Sequence, residues 1–217
     1  MRIGPVTLAW LALSLVPVAL QAQTSPALTH LGHVTSGFGG APDGKGLAVT
    51  AANEISQVMR HANLAALHSD DLEAMRSHAG HVLHLIDPQE GTEGPGLGFG
   101  TRRGVEAIVQ HLGMAAAADG ASAELRTHAE HVEQAGAAVM QRADAVADLA
   151  RQLQAATSAT DAAQIAESMR VLALQLDTGF DADESGRIDL VDEAGFVQME
   201  DHTYLILEAE RLPRILQ

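Results

Sequence analysis

The chain has 217 residues, with 28 acidic against 13 basic side chains, no cysteine and eleven histidines. A net charge of −15 argues against nucleic acid and anionic membrane surfaces as partners, because both call for basic patches. With no thiols there are neither disulfides nor thiolate metal sites, so the fold rests on its core. Histidine is then the abundant strong ligand for transition metals.

At the start, Met1-Arg2, the apolar run from Ile3 to Leu20 and the small-residue ending at Ala22 have the layout of a secretory signal. Cleavage after Ala22 predicts a periplasmic or secreted chain, net charge near −16 once Arg2 is lost, with no membrane association. Residues 23–50 are rich in Gly, Ser, Thr and Pro around GFGGAPDGKG and read as a flexible arm. From Ala51 onward the apolar pattern is helical, and β-branched runs bounded by turns are missing. Aromatics make up 3% of the chain, so Ala, Leu, Val and Met must fill an all-α core.

The first helix is expected over Ala51–Leu67. Ser69-Asp70-Asp71 breaks it and supplies an N-cap for a second, Asp71–Ile86, which Pro88 stops. DPQEGTEGPGLGFGTRRG follows; it meets neither the Walker nor the dinucleotide glycine spacing, no strand precedes it, and it reads as a surface linker. A third helix spans Thr101–Ala118, a fourth starts at Ser122 and reaches about Ala155, a fifth covers Asp161–Leu176, and the last Leu190–Glu210.

Residues Ala51–Val82 align without a gap on Thr101–Val132, fifty positions later. His61 meets His111, His78 meets His128 and His81 meets His131, while Arg76, Ala79 and Val82 recur as Arg126, Ala129 and Val132. This is a duplicated helical hairpin, and two hairpins side by side make an up-down four-helix bundle over 51–157. Residues 158–217 form a C-terminal helix pair.

The turn midpoints set the heights of the histidines. Residues 61 and 78 are equidistant from Ser69-Asp70, as 111 and 128 are from Asp119-Gly120, and each pair lies roughly 13 Å from its turn. His81 and His131 follow three positions on, along the same helical face. The expectation is two trios, His61/His78/His81 and His111/His128/His131, as one six-ligand site, two three-ligand sites or a dinuclear centre. His30 and His33, in HLGH on the arm, either fold back as further ligands or are solvated. His84 extends the first cluster or lies at its rim, His68 has no repeated partner, and His202 is equally open.

Neutral imidazole suits zinc, copper, nickel and iron rather than magnesium or calcium, and of these copper or zinc is expected. Met59, Met75 and Met114 near the histidine levels tilt the balance slightly toward copper. A carboxylate-bridged di-iron centre would need Glu-x-x-His where this chain has His-x-x-His. Haem ligated by two histidines is an alternative, weakened by the scarcity of aromatic walls.

Near the C-terminus the chain reads DADESGRIDLVD over residues 181–192. Asp181, Asp183 and Ser185 hold positions one, three and five, Gly186 six, Arg187 seven, Ile188 eight, Asp189 nine and Asp192 twelve. This resembles an EF-hand calcium loop, and its short acid at position twelve resembles the dockerin-type variant, unless Glu193 reaches in instead. The resemblance implies calcium held by Asp181, Asp183, Ser185, Asp189 and Asp192 with the Arg187 carbonyl, as a clip between the last two helices. It covers the loop alone.

Together these features point to a periplasmic or exported metal-binding protein that handles, stores or senses a transition metal, with metal ions as its partners and a partner protein or homodimer left open. The alternative is a metalloenzyme whose cluster binds oxygen or a small molecule, for which Glu130 or Glu133 would have to act as base. Six clustered imidazoles could also answer pH as an interaction surface. No Ser-His-Asp order or Cys-His pair supports hydrolase chemistry.

Overall fold

The computed structural model describes residues 25–213; the expected signal segment lies outside them. Seven α-helices and no strand occur among the described residues: α1 Pro26–Thr35, α2 Leu47–Leu67, α3 Leu72–Ile86, α4 Thr101–Ala117, α5 Ala123–Ala155, α6 Ala159–Thr178 and α7 Phe196–Ala209. None of them is long and apolar enough to cross a membrane.

Local chemistry starts four of these helices in the same way. The side chains of Ser25, Asp71, Ser122 and Ser158 each accept from the backbone N–H three residues on, at 3.2, 3.0, 2.9 and 3.1 Å. Each satisfies a donor that the first helical turn leaves open.

The two hairpins, α2 with α3 and α4 with α5, pack like against like, α2 on α4 and α3 on α5. Outside this ring α6 lies along α2 and α5, α7 along α5, and α1 along α4. Small residues let the helices close up. A Cβ on Gly104 would stand 2.8 Å from the Cβ of Ala51, so the α2–α4 approach depends on that glycine. The core runs through all seven helices, with Leu31, Ile55, Met75, Leu112, Leu153 and Met169 fully buried.

Three expectations need correction. The described part of the expected arm, residues 25–50, is more than an arm: Ser25 caps α1, Pro26 takes its first turn, and Leu31 and Val34 are fully buried. The Gly-rich composition that suggested an arm belongs to the short stretch between α1 and α2, which includes a single 3₁₀ turn at Pro42–Gly44.

The Gly-rich linker after α3 is likewise not wholly on the surface. Its end is drawn inward by Glu54 of α2, 1% exposed, which accepts from the backbone N–H groups of Phe99 at 2.8 Å, Gly100 at 3.1 Å and Leu97 at 3.2 Å. A carboxylate from another helix thus sits at the N-terminus of α4, where open donors and the helix dipole favour negative charge. The last helix starts at Phe196 rather than Leu190, because the acidic loop continues to Gly195.

Candidate metal centres

Three histidine trios converge, each on a different pair of helices. His61 of α2 meets His78 and His81 of α3; His111 of α4 meets His30 and His33 of α1; His202 of α7 meets His128 and His131 of α5. All three have the same make-up. One helix gives a His-x-x-His pair, whose spacing stacks two rings on one face, and a second helix gives a single histidine opposite.

The rings meet through Nδ1. His61 Nδ1 lies 3.1 Å from that of His78 and 3.3 Å from that of His81. His111 Nδ1 lies 3.1 Å from that of His30 and 3.3 Å from that of His33. His128 Nδ1 is 3.0 Å from that of His202, and the His131 ring stands 4.6 Å from the His202 ring, centroid to centroid. The His131 Nδ1 is buried with no hydrogen-bond partner in the protein. A buried polar nitrogen left this way is costly and calls for a ligand.

With metal–nitrogen bonds of about 2.0–2.1 Å, two corners of a tetrahedron are about 3.3 Å apart. The observed separations lie at or just under that edge. The donor set, three imidazoles per site, suits zinc, copper, nickel or iron.

Six of the nine rings are pushed toward the neutral state that ligation requires. Burial pushes the His61 imidazole down to about 4, helped by the positive charge that His81, His78 and Arg60 would place beside it. Burial likewise lowers His78, with His68 and His81 next in effect, and His81, with His84. His111 is lowered by burial and by His33 and His30, and His202 by burial and by His131 and His128. His128 is lowered by burial and His131, against an opposing pull from Glu124. All six present a free lone pair at neutral pH.

Compared with the expected trios, the structure brings His61, His78 and His81 together across the α2–α3 hairpin. It does not bring His111 to His128 and His131. His111 turns to the pair on α1, and the pair on α5 is completed by His202 of α7. The physical reason is packing: α4 has α1 alongside and α5 has α7, so each half of the second copy meets a new partner outside the hairpin. A single six-histidine centre is therefore excluded.

For His30 and His33, left between folding back and solvation by the sequence, a further signal was present. Thr29-His30-Leu31-Gly32-His33-Val34 has the same form as Ser77-His78-Ala79-Gly80-His81-Val82 and Thr127-His128-Ala129-Glu130-His131-Val132. His68 stays at the rim, its ring 5.5 Å from that of His78 and its Nδ1–H donating to the Leu64 carbonyl at 2.7 Å. Met75 is fully buried in the core, Met59 packs against it partly buried, and Met114 is exposed. Glu130 and Glu133 are exposed and outside the trios.

In the acidic loop, oxygens of Asp181, Asp183 and Glu193 come within 4.8 Å of one another. Asp181 also accepts from the backbone of Ser185 at 2.9 Å and Gly186 at 2.7 Å. Glu193, one place beyond Asp192, is the acid that reaches in. Its carboxylate accepts from the N–H groups of Ala182 and Asp183 at one oxygen and Asp189 at the other. Those bonds, Asp189 first and Ala182 next, hold its carboxyl below the ordinary value. Within the loop the Ser185 hydroxyl donates to the Arg187 carbonyl at 3.3 Å, and Asp189 and Asp192 are not in the acid cluster. Asp192 and Ala194 instead offer their carbonyls to Arg142 of α5, at 2.7 and 2.5 Å.

The chain matches no protein-family model, no curated protein and no solved structure.

Proposed function

We propose that this protein binds transition-metal ions, copper or zinc, at three histidine sites, and that it handles, stores or senses them in the periplasm or outside the cell. The observation that carries this reading is repetition of one donor set. Three times, a His-x-x-His pair and a single histidine converge on one point, with nitrogens 3.0–3.3 Å apart where the hydrogen-bond geometry brings them together. A structural histidine copied by duplication would account for one recurrence at the n+50 spacing. It would not account for new partners on α1 and α7 that complete the same arrangement.

The ring of α2, α3, α5 and α4 supports an up-down four-helix bundle as the scaffold, with the outer helices closing two of the sites. Nitrogens 3.1 Å apart act as neighbouring ligands on one side of an ion, whereas two histidines bind haem iron from opposite faces, so the geometry favours a bare ion over haem. In the EF-hand-like loop, Asp181, Asp183 and Glu193 support calcium as a second, structural cation between α6 and α7.

Titration of the metal-free full chain with zinc or copper(II) tests the reading, with bound ions counted after gel filtration. Three ions per chain are expected, falling to two in His61→Ala. Binding of less than one ion per chain, or an unchanged count in that variant, overturns it.

A further inference from the structure

The three sites differ in how much chain they join. The central site links residues 17 and 20 positions apart, within one hairpin whose two helices already pack together. The site on α1 and α4 links residues 81 and 78 positions apart, and that on α5 and α7 links residues 74 apart. A tie across a long stretch of chain removes more freedom from the open ensemble than one across a tight turn.

The helices held at the long-range sites are also the weakly anchored ones. The ten-residue α1 packs on α4 and, less extensively, on α2, through Ala27, Leu31 and Val34. The fourteen-residue α7 packs mainly on α5 and lightly on α6. Helices this short are marginal unless docked. In a chain with no cysteine, nothing covalent holds either of them.

From this we infer that the two outer sites are clasps: an ion at His30/His33/His111 fastens α1 to α4, and an ion at His128/His131/His202 fastens α7 to α5. Metal occupancy then sets how readily the two end helices leave the bundle. The clasps rest on the reading of the trios as metal sites, and they give that reading a physical output, since an ion bound between two nitrogens on separate helices stabilises only the docked state. The central site, inside a hairpin, holds an ion without this effect.

Hydrogen–deuterium exchange of the full chain, with excess zinc ion or with chelator, tests the clasps while bound zinc is counted in parallel. Free zinc at a hundred times its dissociation constant slows exchange in α1 and α7 by about 100-fold, because the ion binds the docked form alone. His111→Ala abolishes the slowing in α1 and leaves it in α7; His202→Ala does the reverse; His61→Ala leaves both. His30→Gln serves as a milder variant of the first clasp. If zinc binds at three per chain and exchange in α1 and α7 is unchanged, the clasps are wrong and the metal sites stand. If the slowing is lost everywhere in each variant, local clasping is wrong too. If no zinc binds, the sites and the clasps fail together.

Discussion

Two arrangements of polar side chains stand out: histidines whose nitrogens face one another, and the buried carboxylates of Glu54 and Glu193, which face backbone N–H groups. Glu54 holds three separate N–H groups at the entry to α4 while 1% exposed. Glu54→Ala leaves those donors buried without a partner and costs about 3 kcal/mol or more, read as a lower urea midpoint. The histidines set the response to acid. His61 is held down to about 4 in the fold, against its ordinary 6.5, by burial above all. The unfolded chain therefore binds the more protons between those values. The contribution of His61 to the stability of the metal-free protein is complete above pH 6.5 and is lost as pH falls toward 4. Thermal melts of the metal-free chain at pH 7.5 and pH 5 check the sign, with a lower midpoint expected at pH 5.

Among the elements, the helix pairings decide which histidines meet. Gly104→Ala pushes α4 away from α2 at Ala51 and costs about 1–3 kcal/mol by overpacking, measurable by denaturant unfolding. Calcium added to the full chain raises the midpoint of α7 unfolding, and Asp181→Ala removes the increase, if the acidic loop holds a cation as its spacing suggests. The α2–α3 site could be read from the sequence because its ligands are symmetric about a turn, and turn position and helical rise together define height. The other two could not be read that way. Their partners lie 74 to 81 residues apart, on helices whose neighbours follow from packing rather than from any local pattern. For α1 the local signals were present, in Ser25-Pro26 and in the His-x-x-His-Val form, but the glycines after Thr35 outweighed them. Glu193 could be singled out only as an alternative to Asp192, since spacing alone leaves open which of two adjacent acids turns inward.

At the scale of the whole molecule, an acidic, cysteine-free, aromatic-poor helical protein is built round three copies of one histidine arrangement, two of them formed with helices outside the repeat. The hairpin duplication explains the central pair of hairpins, and the end helices complete what the duplicated copy leaves open. Nitrogen coordination at these sites is what would make them metal centres. X-ray absorption at the metal edge of the zinc- or copper-loaded full chain measures it directly. Three ions per chain, each with about three imidazole nitrogens at 2.0–2.1 Å, is the expected result. Scattering dominated by oxygen ligands, or a spectrum unchanged when His61, His111 and His202 are all replaced by alanine, would contradict it.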